Sequence, residues 1–200
     1  MKLNVISKSK KYQLNSGHFM WVSLILFFSI IGCYLLDVVE PNSTLNLILL
    51  IAAITPIATN IYGNYEYFPI NYEIISELVL EPTFIKVGSK KIEIDSIDKV
   101  ELDVNDWHGK RIVNNHRPYG SGPKLSRGID NKLEIYSKEF KVEVYFQLES
   151  KQQFQELANW VKNIYQYKIQ VLEKYDQIRS YGLEHLSFAK IQEFKNRYAT

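Results

Sequence analysis

Two long stretches without a charged side chain constrain this 200-residue chain more than any other feature. The first covers residues 19–36 and the second covers residues 41–65. Elsewhere charges are frequent, since 23% of all residues are charged and the net charge is +2. A soluble core of this size does not need uncharged segments of such length, whereas a bilayer does. The distribution therefore excludes a simple soluble globule and predicts a membrane protein.

Each uncharged stretch is long enough to cross a bilayer as a helix. The first, FMWVSLILFFSIIGCYLL, would be about 27 Å long at 1.5 Å per residue. The second, LNLILLIAAITPIATNIYG at 45–63, contains a proline and several polar residues but has a similar length. A short link, DVVEPNST at 37–44, joins them. We expect residues 19–63 to form a hairpin of two antiparallel transmembrane helices.

The first stretch has two alternative interpretations. A secretory signal peptide is disfavoured because no small-x-small cleavage site follows the apolar run. A bacterial lipobox ahead of an acylated cysteine is the other alternative, suggested by Ile30, Ile31, Gly32 and Cys33. We favour Cys33 as a small residue packed between helices. The chain has one cysteine, which excludes an intrachain disulfide.

Lysines near the spans predict the orientation of the hairpin. Residues 1–18 contain Lys2, Lys8, Lys10 and Lys11 and no acid, whereas the link carries only acids. Positive residues remain on the cytoplasmic side of a membrane. We therefore expect residues 1–18 to be a basic cytoplasmic N-terminus, and two crossings to return the C-terminal part to the cytoplasm.

The hydrophobic period changes to two after residue 70. Alternating apolar residues predict antiparallel strands at about 72–80, 83–87, 90–94, 98–105, 131–137 and 140–148. Ser150 and Gln153 form a capping box, and a helical stripe follows: Phe154, Leu157, Val161, Ile164, Tyr165, Ile169, Leu172 and Tyr175. We expect residues 70–180 to form a β-rich cytosolic domain capped by this helix, and residues 183–200 to form an amphipathic C-terminal helix.

The order of strands and helix resembles the pleckstrin-homology-like fold of small bacterial membrane proteins. The resemblance lies in LVLEPTFIKVGSKKIEIDSIDKVELDV at 78–104 and KVEVYFQLESKQQFQELANWV at 141–161. In that family two spans commonly precede such a domain. The resemblance implies an α+β fold, an antiparallel PH-like β-barrel or sandwich closed by a C-terminal helix, in the bacterial inner membrane. One departure is an insertion of about twenty-five residues between the fourth and fifth strands.

The wider plan also resembles the two-span membrane effectors of prokaryotic antiphage systems, of the retron or cyclic-oligonucleotide type. That resemblance implies a cytosolic domain that senses or is restrained, a protein partner encoded nearby, and spans that damage the inner membrane. It assigns no residue of a nucleotide pocket.

The insertion, WHGKRIVNNHRPYGSGPKLSRGIDN at 107–131, is strongly basic. No acid occurs between Trp107 and Ile129, and the insertion supplies five cations: Lys110, Arg111, Arg117, Lys124 and Arg127. Such a segment can bind the phosphate of a nucleotide, a nucleic acid or a lipid headgroup through charge-assisted hydrogen bonds. The alternative is a solvated surface loop.

Catalytic and metal-binding patterns are weak. The sequence has no Walker, nucleophile-elbow or H-E-x-x-H motif. His108 and His116 with Asp106 are a poor zinc candidate, because the ligand set is incomplete. We expect a protein that is not an enzyme and that uses neither a metal nor a cofactor.

Three polar residues lie on one side of the second span, Thr55, Thr59 and Asn60. They predict a contact between subunits, or a water-lined path, because polar side chains are costly against lipid. The alternative is close packing within the hairpin, where the first span offers Ser29, Gly32 and Cys33.

These features predict a non-enzymatic inner-membrane protein. Its cytosolic domain would sense a partner or ligand, and its hairpin would act on the membrane as the effector of an antiphage defence system. Two alternatives stay open: a membrane-tethered scaffold or toxin-immunity protein, and an accessory subunit of a membrane enzyme or transporter.

Overall fold

The computed structural model describes residues 1–9, 14–112, 122–167, 169–175 and 178–180. The chain divides into two compact units. The sheet unit contains Met1–Lys10, Asn71–Lys110 and Ser126–Thr200, and the helix unit contains Lys11–Ile70 and Arg111–Leu125.

The helix unit is built on two long apolar helices, α1 (Ser16–Leu35) and α2 (Ser43–Gly63). Each begins at an asparagine whose side chain accepts a hydrogen bond from a first-turn backbone N–H, Asn15 for α1 and Asn42 for α2. Both helices are long and apolar enough to cross a bilayer, and most of their surface is exposed. The helix unit therefore fits a membrane protein with two spans, as the two uncharged stretches predict.

Strands and one helix make up most of the sheet unit. The strands of the described chain are β1 (Lys2–Ser9), β2 (Asn71–Leu80), β3 (Phe84–Val87), β4 (Lys90–Glu93), β5 (Lys99–Val104), β6 (His108–Arg111), β7 (Leu125–Arg127), β8 (Asn131–Tyr136), β9 (Lys141–Gln147), β10 (Gln170–Tyr175) and β11 (Ile178–Ser180). Helix α3 (Lys151–Ile164) follows β9. Nine of these described strands form one sheet in the order β11-β10-β5-β8-β9-β1-β2-β3-β4, and β6 pairs with β7 separately.

The hydrophobic core lies between one face of the large sheet and α3. Strand β5 alternates half-buried and fully buried residues, so that Val100, Leu102 and Val104 enter the core. Helix α3 contributes Leu157 and Val161, both fully buried. Its N-terminus is capped by Ser150, whose hydroxyl accepts from Gln153 N, as the capping box predicts.

All six predicted strands are confirmed within about two residues, as β2, β3, β4, β5, β8 and β9. The alternation of apolar and polar residues sufficed because each of these strands has one face on the core.

The N-terminal segment differs from the sequence-based expectation. The sequence predicts a basic N-terminus over residues 1–18 and no strand there, whereas Lys2–Ser9 is strand β1, in register with β2 from Lys2↔Val79 to Ser9↔Asn71. Leu3 and Val5 are buried in the core, while Lys2 and Lys8 are exposed. The lysines indicate a solvated, basic segment, although Leu3 and Val5 between them alternate with polar residues as in a strand. In chain order, the helical hairpin therefore lies in the connection between β1 and β2, which are neighbours in the sheet.

The helix predicted after Ser150 is shorter than its apolar stripe suggests. It ends at Ile164, and residues 170–175 form β10, which pairs in parallel with β5. The edge of β5 supplies hydrogen bonds that an isolated sequence pattern cannot show. The amphipathic segment at 183–200 lies outside the described residues.

The α+β class is confirmed, but the closed PH-like barrel is not. Among the described strands the large sheet is open and mixed, with β11 and β4 at its edges and one parallel pair. The edge strand β4 is only four residues long and begins with two lysines, which oppose further strand pairing.

Candidate functional site

Buried side chains and one hydrogen bond join the two apolar helices. Met20, Ser23 and Ile30 of α1 and Ala52 of α2 are buried. The Ser23 hydroxyl donates to the Ala52 carbonyl oxygen at 3.0 Å. This interhelical bond satisfies a polar group that would otherwise be costly in lipid.

The small residues singled out on the first span are less tightly packed. A Cβ added to Gly32 would meet no atom within 4 Å, and Cys33 is only half-buried. The Ser29 hydroxyl donates to Ile25 O of its own helix at 2.8 Å.

The threonines predicted to form a transmembrane contact already have hydrogen-bond partners. The Thr55 hydroxyl donates to Ile51 O at 2.7 Å, and the Thr59 hydroxyl donates to Thr55 O at 2.8 Å. Bonds to carbonyls one turn earlier satisfy a hydroxyl inside its own helix. These two residues can therefore face lipid without a polar partner from elsewhere.

The start of α1 and the end of α2 meet at one end of the helix unit. The Ser16 backbone N–H donates to the Glu66 carboxylate, at 3.1 and 3.3 Å to its two oxygens. This places an acid at the N-terminus of α1, where the helix dipole favours negative charge. The Glu66 carbonyl oxygen accepts from Lys124 N and Leu125 N, each at 3.1 Å.

A glycine allows residues 122–125 to run against the end of α2. A Cβ added to Gly63 would lie 2.5 Å from Gly122 O and 3.3 Å from Ser16 Oγ. The absence of a side chain at position 63 is therefore what permits this close approach.

Two of the five predicted anion-binding cations converge at this end of α2. Arg111 Nη2 donates to Asn64 Oδ1 at 2.9 Å, and Lys124 Nζ donates to the same oxygen at 3.0 Å. Lys124 Nζ also lies 3.4 Å from Asn60 Oδ1. We call Asn60, Asn64, Arg111 and Lys124 the helix-end cluster. It unites residues that the sequence assigned to two separate sites.

Other cations of the insertion are placed differently. Lys110 belongs to the sheet unit, where its ammonium donates to Asn105 O at 2.6 Å and lies 5.2 Å from the Trp107 ring centroid. Arg127 belongs to the same unit, in β7. Arg117 lies outside the described residues.

A buried polar network holds the base of the insertion within the sheet unit. The Asp106 carboxylate accepts from the Ser126 hydroxyl and from Asp130 N. Asn131 Oδ1 accepts from the backbone N–H groups of Asn105 and Asp106, at 3.1 and 3.2 Å. Burial raises the pKa of the Asp106 carboxyl, and the hydrogen bonds from Ser126 and Asp130 oppose this shift. Sequence analysis missed the network because its members are far apart in the chain.

The network also bears on the weak zinc candidate. Both Asp106 oxygens are engaged by protein donors. Among the described residues no group of three or more potential ligands could hold a metal ion, and His116 lies outside them.

A charged surface covers the neighbouring strands β5, β8 and β9. Glu101, Glu134 and Glu143 stand directly opposite one another in the sheet register. Lysines in the adjacent rows separate these carboxylates, with Lys141 Nζ at 2.7 Å and Lys132 Nζ at 3.1 Å from Glu134. The Lys141 and Lys132 hydrogen bonds lower the pKa of Glu134 to about 2, against the opposing effect of burial. The pairing is structural, since each carboxylate here offsets a neighbouring lysine.

Comparison with protein-family models, curated proteins and solved structures finds no match for this chain.

Proposed function

We propose that this protein is a non-enzymatic protein of the bacterial inner membrane. In this proposal the hairpin of α1 and α2 acts in the bilayer. The sheet unit is cytoplasmic and binds a partner or ligand that controls the hairpin. The antiphage effector, restrained by a protein encoded nearby, is the role that we favour.

The observation that carries the proposal is the position of the hairpin in the chain. Strand β1 ends at Ser9 and β2 begins at Asn71, and these two residues are paired in the sheet. Both helices are thus connected to adjacent strands. A partner that alters the pairing of β1 with β2 can bias the helix ends, because both connections start from the same place in the sheet.

A catalytic role has little support. The clearest pairing of a serine with a carboxylate in the described chain, Ser126 with Asp106, is buried. The Ser126 oxygen also accepts from Gly128 N at 2.8 Å. These bonds favour a structural role for the pair.

Membrane potential tests the effector role. Production of the wild-type chain alone should depolarise the bacterial membrane and stop growth, because the restraining partner is absent. The variant Thr59→Leu with Asn60→Leu should relieve this effect by removing polar groups from one face of α2. A potential-sensitive dye after induction, with protein levels matched by immunoblot, gives the measurement.

The matched control is Ile57→Leu with Ile61→Leu, which changes two exposed apolar positions of the same helix. It should depolarise the membrane like the wild type. The effector proposal is wrong if the wild type accumulates in the membrane while the potential stays normal.

A harmless membrane-tethered scaffold or immunity protein is the second candidate. The internal hydrogen bonds of Thr55 and Thr59 favour it, since they make the hairpin compatible with lipid as a simple anchor. What remains of the PH-like resemblance, antiparallel strands followed by α3, also suits a binding module. An accessory subunit would instead copurify with an enzyme or transporter.

A further inference from the structure

We infer that the helix-end cluster binds the phosphate of an anionic phospholipid headgroup. The inference rests on the proposed function in one respect: α1 and α2 must enter the bilayer. It adds a ligand class and two residues that bind it, Arg111 and Lys124.

The charge balance of the cluster favours an anion. Arg111 and Lys124 donate to one neutral amide oxygen, that of Asn64. Among the residues that the structure describes, neither cation forms an ion pair with a carboxylate. The nearby Glu66 carboxylate accepts from the N-terminus of α1. Two converging cations with a shared neutral acceptor retain donors that suit a phosphate.

The position of the cluster favours a lipid over a nucleic acid. Helix α2 has 21 residues, about 32 Å at 1.5 Å per residue, so its end reaches headgroup depth when the helix spans the hydrocarbon. Tyr62 and Tyr65, beside the cluster, are 62% and 75% exposed. Tyrosines are enriched at this depth, where a ring can contact lipid and water together.

The backbone around the cluster fixes Lys124 in place. Lys124 N donates to Glu66 O, and the segment before it approaches Gly63 too closely for a side chain there. The cation therefore starts from a backbone that is tied to the end of α2. A freely solvated loop would lack this constraint.

Lipid selectivity of the full chain tests the inference. The chain is reconstituted in phosphatidylcholine vesicles that contain phosphatidylglycerol, with one lipid brominated at a time. Quenching of tryptophan fluorescence then gives the relative binding constant, and Trp21 near the start of α1 reports on this end of the hairpin. The wild type should prefer phosphatidylglycerol by about fivefold for each cation involved.

The variant Arg111→Gln with Lys124→Gln should lose this preference. Lys86→Gln with Lys151→Gln is the control, because it removes the same charge from exposed positions in β3 and α3. Gly63→Ala keeps both cations but displaces residues 122–125, so it should also lower the preference. An unchanged preference in Arg111→Gln with Lys124→Gln would overturn the inference.

Two further measurements are needed. One distinguishes a lipid phosphate from inorganic phosphate, and the other distinguishes failure of the headgroup site from failure of the proposed membrane function. Inorganic phosphate at millimolar concentration should not reduce the preference, and competition by it would reassign the cluster to a soluble phosphate. Failure of the chain to float with the vesicles contradicts membrane insertion and thus the proposed function. Flotation without lipid preference contradicts the headgroup site alone.

Discussion

Glu134, on the charged surface of the sheet, is expected to make the free energy of unfolding depend on pH. Its pKa is lowered to about 2 from 4.5, chiefly by the hydrogen bond from Lys141. A carboxyl whose pKa is depressed on folding stabilises the protein above its unfolded pKa, and this stabilisation is lost as the pH falls. We therefore expect the free energy of unfolding to decrease between about pH 4.5 and pH 2. Glu134→Gln should cost about 1 to 3 kcal/mol at pH 6 and flatten this decrease.

Urea unfolding of the full chain in neutral detergent, followed through tryptophan fluorescence at pH 6 and pH 2.5, measures both effects. Glu139→Gln is the control, because Glu139 is exposed in the turn before β9. It should retain the pH dependence of the wild type. An equally steep pH dependence in Glu134→Gln would contradict the assignment.

Strand β1 is the element whose role most affects the architecture. Leu3 is 2% exposed and lies in the core, while its neighbour Lys2 reaches an ion pair with Glu77 on the surface. Leu3→Ala should lower the free energy of unfolding by about 2 to 5 kcal/mol through the lost burial and the cavity. Lys2→Ala should change it by less than about 1 kcal/mol, because exposed ion pairs contribute little.

The same urea experiment distinguishes the strand from a free tail. If residues 1–9 were a tail, both variants would unfold like the wild type. Equal and small effects of the two substitutions would contradict the placement of β1 in the sheet. They would also contradict the claim that the hairpin connects two paired strands.

At the scale of the whole molecule, the register of β1 with β2 restricts membrane topology. Ser9 and Asn71 are paired, so both ends of the hairpin insertion must lie on the same side of any bilayer that the helices enter. The hairpin therefore crosses an even number of times, and the lysines before α1 predict that this side is cytoplasmic.

Cysteine labelling tests this topology, since the chain has only Cys33 to remove. In a Cys33→Ala background, Glu40→Cys in the link should react with a membrane-impermeant maleimide in intact cells. Lys151→Cys at the start of α3 should react only after the inner membrane is permeabilised. The reverse pattern would place the sheet unit outside the cytoplasm and contradict a cytosolic sensor.

The sequence alone was sufficient to predict an element wherever successive residues of that element meet the same environment or a regularly alternating one. The two uncharged stretches predict both apolar helices, because a span must be apolar along its whole length. Alternation predicts six strands for a similar reason, since each contacts the core on one face only. The capping box at Ser150 is a local hydrogen-bond pattern and is equally visible in the sequence.

Only the tertiary structure decided which distant segments meet. The lysines of β1 obscure its strand pattern in the sequence. The apolar residues of β10 continue the helical stripe of α3 in the sequence, but in the structure β10 forms hydrogen bonds with the edge of β5. The helix-end cluster joins Asn64 to Arg111 and Lys124, which are 47 and 60 positions away in sequence. The basic composition of the insertion indicates that Arg111 and Lys124 could bind an anion, but it does not show that both lie at the end of α2. Such contacts depend on how strands and helices pack, and no local periodicity encodes them.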